Sequence, residues 1–322
     1  KMDAQKKVIV FTGRDDPMWP FLLEACSVEE QGRIRLFETD NPRVSSMNYD
    51  PIHGSGRLFV GDEMIDTADV CSVWLRRFVP PNLVYLERDL REYCEREYTD
   101  FFQGVEYAFE NALWVSKPSA IEYTRNKPRQ LRLAKQLEFQ LPETCFTNSP
   151  HSLEEFALAG ESIYKSIRSP RVPVSTERHT SVFTTLLDES VLKQKEGIMT
   201  CPGIVQRLVK KMADIRVTIF GDVAYSVLIH SQDTERTKLD FRNGGRYLQY
   251  ETHALPVDIQ SNCVRLVQRC GLLYGAIDLA LMEDGSYVFF EINPNGQWGW
   301  LEMKTKLPMR RALLDILFHH HF

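Results

Sequence analysis

One stretch decides the fold of this chain: Phe289-Phe290-Glu291-Ile292-Asn293-Pro294-Asn295-Gly296. Glu291 and Asn293 stand two residues apart in an apolar strand pattern, so their side chains point to the same face of that strand. A carboxylate and an amide both present oxygen, the ligand atom that Mg²⁺ prefers. The stretch therefore predicts part of a magnesium site.

A third oxygen ligand lies upstream. Asp278 belongs to the apolar strand pattern Tyr274–Leu281, and the segment 283–286 (Glu-Asp-Gly-Ser) predicts a hairpin turn before the next strand. Folding that hairpin brings Asp278 beside Glu291 and Asn293. The alternative is that these three side chains are polar groups at strand ends that face solvent. However, Asp, Glu and Asn are all disfavoured in strands, and here three of them align.

This Asp…Glu-x-Asn-Pro arrangement resembles the metal site of the ATP-grasp ligases. The longer segment 291–302 (EINPNGQWGWLE) is similar to one branch of them, the graspetide synthetases, which are microviridin-type ribosomal peptide maturases. The likeness extends from the first strand to about Glu302. Further matching segments appear in the order of the family: 72–77 (SVWLRR), 126–127 (NK), 141–144 (LPET), 205–206 (VQ), 214–216 (DIR) and 240–242 (DFR).

The resemblance implies a mixed α/β (α+β) chain with the ATP-grasp fold. It predicts an N-terminal pre-ATP-grasp α/β domain over 1–118 and a central subdomain with a leader-binding hairpin over 119–205. A C-terminal subdomain with the Mg²⁺/ATP site follows over 206–318. From the residues themselves we predict strands at 7–12, 33–37 and 70–75 and helices at 17–29 and 86–111.

Composition excludes several classes of protein. The chain has 322 residues, a net charge of -5 and 43% hydrophobic residues, with a mean hydropathy of -0.30. The net negative charge argues against nucleic acid as a partner. The chain has no apolar run of about 18 residues, the length that would predict a membrane-spanning helix. Seven scattered cysteines without a Cys-x-x-Cys pair favour reduced thiols in the cytoplasm. The sequence is also compatible with a homodimer.

The resemblance also implies the nucleotide site. Lys127 and Lys165 match the two lysines that reach the nucleotide phosphates in ATP-grasp enzymes, although each alone could be a solvated surface charge. The adenine edge is expected to meet the segment that begins at Gln206, through backbone groups of Arg207 and Val209.

Three arginines and one aspartate complete the expected reaction centre. Arg216 is expected to face the reacting carboxylate or the γ-phosphate, with Asp214 orienting it or touching the ribose; a surface ion pair is the alternative. In the glycine-rich loop 240–246, Arg242 is the candidate for stabilising charge on an acyl phosphate, and Arg246 is a second candidate.

The implied reaction is activation of a carboxylate by ATP, followed by attack of a nucleophile. In the resembling branch an Asp or Glu of a precursor peptide is joined to Ser, Thr or Lys, as an ester or an amide. The leader of such a peptide is expected to dock on residues 170–200, with Asp188 and Glu189 meeting a leader arginine; a solvated loop is the alternative. Two other functions stay open: ligation of free amino acids to a protein or small molecule, and a non-catalytic peptide-binding module.

Overall fold

The computed structural model of the chain describes residues 6–168, 171–173, 179–181, 184–243 and 248–319. Within these ranges, no helix combines the length and the apolar character needed to cross a membrane. Four sheets of three or more strands and their covering helices form the molecule.

The first part of the chain forms a parallel sheet with the strand order β2-β1-β6-β7 and an antiparallel meander, β3-β4-β5. In chain order the elements are β1 (Lys7–Thr12), α1 (Met18–Leu23), α2 (Val28–Arg33), β2 (Ile34–Glu38), β3 (Ser45–Asp50), β4 (Ser55–Val60), β5 (Glu63–Asp66), β6 (Val70–Leu75), α3 (Arg88–Gln103) and β7 (Leu113–Val115).

The predicted helices at 17–29 and 86–111 are shorter in the structure. The first is divided into α1 and α2, because Ser27 starts a new helix: its hydroxyl accepts from the Glu30 N–H, and the Glu30 carboxylate accepts from the Ser27 N–H. This reciprocal capping box is a strong helix start. The second helix ends at Gln103 and continues as a short 3₁₀ turn, Val105–Ala108.

The middle of the chain contributes an antiparallel sheet with the order β12-β9-β13-β8. Its elements are α4 (Pro118–Arg125), α5 (Lys127–Gln136), β8 (Thr144–Thr147), α6 (Pro150–Leu158), β9 (Ser162–Lys165), β10 (Arg171–Pro173), β11 (His179–Ser181), β12 (Thr185–Leu186), α7 (Glu189–Leu192), α8 (Lys195–Thr200) and β13 (Gly203–Arg207).

The last part forms a five-stranded antiparallel sheet with the order β16-β15-β14-β17-β18. Its elements are β14 (Ala213–Phe220), β15 (Val223–Ile229), β16 (Tyr250–Thr252), α9 (Val257–Arg269), β17 (Tyr274–Leu281), β18 (Tyr287–Asn293), α10 (Gly299–Thr305) and α11 (Met309–His319). The predicted β17–β18 hairpin is confirmed, and Gly285 takes the positive φ of +80° that its turn requires.

The first sheet is buried on both faces, as is usual for parallel sheets. Ile9 and Phe11 of β1 pack on the side of α3, whereas Val8 and Val10 pack with the apolar face of α11. The Ser72 hydroxyl of β6 also donates to the Leu317 carbonyl of α11 at 2.6 Å. The helix α11 thus covers a sheet formed by the first part of the chain. The predicted division into three domains or subdomains, with boundaries at 118 and 205, stays a prediction.

Candidate active site

Most of the residues predicted for the nucleotide, the metal and the reaction centre lie in a cleft between the β12-β9-β13-β8 sheet and the five-stranded sheet. Along β14, Ile215 and Val217 join the main core, so Asp214 and Arg216 point to the opposite face. Across the cleft, Lys165 projects from β9 of the other sheet. Residues of both sheets line one cavity of about 480 Å³ and an adjoining one of about 90 Å³.

A β-bulge sets the direction of the acidic side chains. Asp278 pairs with Glu291, but the next residue, Leu279, pairs with Phe289, so Phe290 is an extra residue in β18. The extra residue reverses the alternation of side chains. Phe289 therefore lies in the core, although Glu291, two residues later, lines the cleft.

Two ion pairs hold the carboxylates in place. Nη1 of Arg216 donates to both oxygens of Asp278, at 2.6 and 2.8 Å, and both side chains are largely buried. Nζ of Lys127, at the start of α5, donates to Oε2 of Glu291. The Lys127 charge lowers the pKa of Glu291 below its usual range, so this carboxylate is ionised at neutral pH. Arg216 is thus a buried ion-pair partner, and the surface alternative is wrong.

The predicted metal ligands converge as expected from the hairpin. Asp278 and Glu291 stand opposite each other, and Asn293 follows on the same face, opposite Ala276. Oδ1 of Asn293 accepts one hydrogen bond, from the Asn295 N–H at 3.0 Å, and keeps a second lone pair. No group of three His, Cys, Asp or Glu side chains suited to a metal occurs in the described ranges. Two carboxylates and an amide are oxygen ligands that fit Mg²⁺.

Lys165 is held by a short chain of polar side chains. Its Nζ donates to Oε1 of Gln206 at 3.0 Å, and Nε2 of Gln206 donates to the Thr144 hydroxyl at 2.8 Å. Burial lowers the pKa of Lys165 from its ordinary 10.5 to about 8, a shift that Glu291 opposes. Gln206 therefore reaches the site through its side chain, whereas its backbone pairs with β8 and β9.

We expect nucleotide affinity to decrease above pH 8, because only protonated Lys165 attracts phosphate. The dissociation constant for ADP with Mg²⁺ should increase by up to about tenfold per pH unit until the pKa of the complex is reached. Stability should change in the opposite sense. The unfolded chain binds the proton more tightly, so the folded state gains stability as pH increases from 8 towards 10.5. Calorimetry at pH 7, 8 and 9 tests this, and Lys165→Arg should remove the pH dependence, since guanidinium stays charged.

Some groups of the segment expected to contact adenine are already bonded to other residues of the protein. The Arg207 side chain turns away from the cleft, donating to the Glu143 carboxylate and lying over the Phe156 ring. The Arg207 N–H donates to the Glu143 carbonyl at 2.9 Å, so a contact between adenine and the Arg207 backbone would use the Arg207 carbonyl, and that role stays a prediction. Val209 forms no backbone hydrogen bond with a described residue, and its role stays a prediction.

Asp214 and Arg242 both have local partners. The buried Asp214 carboxylate accepts from Nζ of Lys211 at 2.7 Å, and burial raises its pKa. Arg242 forms a two-point contact with Asp240, Nε to Oδ1 and Nη2 to Oδ2, each at 2.7 Å. Its guanidinium is half exposed and lines both cavities. Arg246 lies outside the described residues.

Two supporting residues were missed in the sequence. Gln130 is buried on α5, where its amide accepts from the Ile292 N–H and donates to the Ile292 carbonyl, between two predicted metal ligands. The signal was a glutamine one helical turn after Lys127. The Tyr274 hydroxyl donates to the Gly296 carbonyl, fixing the segment after β18.

We expect Gly296→Ala to reduce catalysis by displacing Arg216. A Cβ at position 296 would lie 2.7 Å from Nη2 of Arg216 and 2.7 Å from Cβ of Ala276. A shift of about 1 Å in a catalytic group can reduce the rate on the order of 10²-fold. Gly32→Ala is the matched control, because nothing lies within 4 Å of its added methyl group. A Gly296→Ala enzyme as active as the Gly32→Ala enzyme would contradict this prediction.

The predicted leader-binding residues lie at the start of α7, outside both cavities. Asp188 is the N-cap of α7, since its carboxylate accepts from the N–H groups of Ser190 and Val191. Glu189 is exposed and pairs with Lys193 at 3.3 Å. Of the predicted docking region 170–200, residues 170, 174–178 and 182–183 lie outside the described ranges.

Known proteins were compared with this chain. Protein-family models and curated proteins give no match. Among solved structures, macrocyclase MdnC bound with precursor peptide MdnA, from Microcystis aeruginosa MRC, has a TM-score of 0.84 and 25% identity, over 97% of this chain and 100% of MdnC. A Chryseobacterium gregarium RiPP-associated ATP-grasp ligase, in complex with ADP and a leader and core peptide, has a TM-score of 0.84 and 23% identity, over 97% and 96%.

A third structure, ATP-grasp ligase PsnB complexed with minimal precursor, Mg and ADP, has a TM-score of 0.73 and 21% identity, over 98% of each chain. The predicted ATP-grasp fold is confirmed, and so is the resemblance to ATP-grasp enzymes that modify ribosomal peptides. The structures named as ATP-grasp ligases share the fold of this chain at 20–23% identity.

Proposed function

We propose that this ATP-grasp ligase is a macrocyclase that joins Asp or Glu side chains of a ribosomal precursor peptide to Ser, Thr or Lys side chains. The main support is the cleft itself. Two lysines face one ionised carboxylate there, with an arginine–aspartate pair beside them. This arrangement suits a triphosphate and a metal ion, and the similar structures that contain ADP also contain peptides.

The nucleotide would occupy the positively charged side of the cleft. Lys127 and Lys165 would bind its phosphates, with Gln206 positioning the Lys165 ammonium group. Asp278, Glu291 and Asn293 would hold Mg²⁺, which supplies neutralisation of phosphate charge when bound. Apolar walls of the adjoining cavity, such as Ile163 and Phe290, suit a purine ring.

The reaction would proceed in two displacements. An oxygen of the substrate carboxylate attacks the γ-phosphorus of ATP, and ADP leaves, giving an acyl phosphate. A hydroxyl or amine of the same peptide then attacks the acyl carbon, loses its proton, and inorganic phosphate leaves. Both reacting groups lie in one bound chain, which favours the second step. Arg242 and Arg216 would stabilise negative charge on the transferring group and on the tetrahedral intermediate.

The proposed partner is a precursor peptide with a leader and a core. The reaction needs ATP, so we place it in the cytoplasm, where seven free thiols would also stay reduced. An ester is the favoured linkage, by resemblance to the microviridin-type branch, with an amide as the other form.

Mass spectrometry tests the proposal. The enzyme is incubated with ATP, Mg²⁺ and any short peptide rich in Thr and Asp or Glu that is encoded beside its gene. We expect the product to be lighter by one water for each bond, and mild base should open esters but not amides. A product heavier by an amino acid would show that the enzyme is a ligase of free amino acids rather than a macrocyclase. ATP hydrolysis that no peptide stimulates, without product, would contradict both.

Leader binding is expected to depend on the charges at the start of α7. Asp188→Asn with Glu189→Gln removes both charges but keeps a capping side chain at position 188. We expect precursor affinity to fall about fivefold, as for an exposed charge-assisted contact, with unchanged ADP affinity. Calorimetry measures both, and Glu283→Gln, at an exposed carboxylate in the β17–β18 turn and outside the region 170–200, is the control. Equal precursor affinity in the double variant and the control would exclude docking at these residues.

A further inference from the structure

We propose, on the basis of the function proposed above, that Arg125 and Arg168 form a second anion-binding position in the cleft. It would take a carboxylate of the substrate peptide other than the one being activated. The two arginines would thereby select acidic peptides and fix which acidic residue reaches ATP.

The two guanidinium groups come from different elements and share one carboxylate. Arg125 is the last residue of α4, and its Nη1 lies 2.5 Å from Oε1 of Glu122. Arg168 follows β9, and its Nη2 lies 3.2 Å from the same Oε1. An ordinary ion pair within α4 explains Arg125. It does not explain why a second arginine, from the segment after β9, reaches the same oxygen.

Besides the Arg216–Asp278 and Lys211–Asp214 pairs, the charges of the cleft form three groups. Within the described residues, Arg242 is balanced by Asp240. Lys127 and Lys165 face Glu291, which leaves one positive charge for the nucleotide phosphates. Arg125 and Arg168 face Glu122, which leaves a second positive charge. Arg168 keeps its side chain 72% exposed, so its guanidinium has free donors for a ligand.

The position of the pair favours peptide over nucleotide. Both arginines line the 480 Å³ cavity with Lys127 and Glu291, but neither lines the smaller cavity of Gln206 and Asp214. On the other side they border a cavity of about 130 Å³. Its other lining residues include several apolar side chains of the first part of the chain and of α4: Leu75, Phe78, Phe102, Pro118 and Ile121. A peptide leaving the reaction centre this way would meet the guanidinium groups first and an apolar surface next.

Binding of two matched peptides tests the inference without turnover. The probes are a fluorescein-labelled peptide of Thr, Gly and Asp and the same peptide with Asn in place of each Asp. Both are titrated in the presence of ADP and Mg²⁺ into wild type, Arg125→Ala/Arg168→Ala, and Arg88→Ala. Arg88 is a suitable control, since it is an exposed helix arginine paired with Glu92 and lies outside the cavities.

We expect the double variant to bind the Asp peptide about five- to tenfold more weakly, as for charge-assisted contacts near solvent. Binding of the Asn peptide and of ADP should change less than about twofold. Arg168→Glu should in turn gain affinity for a peptide with Lys in place of one Asp, which would identify the residue in contact.

Three results would overturn the inference: no measurable binding of the Asp peptide to wild type, an equal loss for the Asp and Asn peptides, or a parallel loss of ADP affinity. The last would assign the arginines to the nucleotide. Failure of the proposed function has a different signature, because a peptide could bind as expected here and still give no condensation product with ATP.

Discussion

Replacing Glu291 by Gln is expected to reduce ATP-dependent peptide modification by about 10³-fold or more, because charge stabilisation at a metal site contributes several kcal/mol to the transition state. Glu291 is the central group of the cleft. It lies opposite Asp278, pairs with Lys127 and is ionised at neutral pH. Gln keeps the shape and can still accept from Lys127, so the change removes mainly the charge.

The folded state should survive this change at a lower unfolding temperature, since Lys127 and Lys165 lose their shared counter-charge. Turnover is measured by mass spectrometry of the peptide, and folding by thermal unfolding. Glu283→Gln, an exposed carboxylate in the turn of the same hairpin, is the control. Turnover by Glu291→Gln within tenfold of that control would show that Glu291 is not a metal ligand.

Replacing Arg242 by Ala is expected to lower the rate of ring formation on the order of 10²- to 10³-fold, the usual effect of removing one fixed charge donor from a transition state. Arg242 is already oriented by its two-point contact with Asp240. Asp240 is buried, so Arg242→Ala also leaves a carboxylate without its partner. Arg242→Lys separates the two effects, because it keeps a cation beside Asp240 but loses the planar fork.

Steady-state kinetics of both variants test this role, with Arg236→Ala on the same loop as the control. We expect kcat to fall in the order wild type, Lys, Ala, with little change in the KM for ATP. If KM for the peptide increased and kcat stayed unchanged, Arg242 would contribute equally to binding of the substrate and of the transition state. It would then not stabilise the transition state selectively.

The hairpin of the site could be predicted from the sequence because its signals are local. Strand periodicity and a Gly-containing turn are enough to bring Asp278, Glu291 and Asn293 together. The bulge at Phe290 could not be predicted in this way, although two consecutive phenylalanines before Glu291 interrupt the alternation. Its position depends on which residue of β17 faces which residue of β18, and that is decided by packing on the core.

Lys211 and Asp240 are local partners of Asp214 and Arg242, but other partners of the site residues are non-local and could not be predicted. Lys127 and Glu291 are 164 residues apart, and no spacing rule joins them. By contrast, the division of the first predicted helix into α1 and α2 could have been predicted, because Ser27-x-x-Glu30 is a capping signal in the sequence. The meander between β2 and β6 lies where no element was predicted, and the pairing among β3, β4 and β5 supplies its backbone hydrogen bonds.

The contact between Ser72 and Leu317 joins residues 245 positions apart, and it has a consequence for biosynthesis. On the ribosome, β1 and β6 emerge early, but the helix that covers Val8 and Val10 is translated after the whole ATP-binding region. One apolar face of the first sheet is therefore uncovered during most of translation. Contacts of such high sequence separation form slowly and leave the nascent chain prone to aggregation. Covering of this face thus belongs to a late stage of folding, after α11 has been translated.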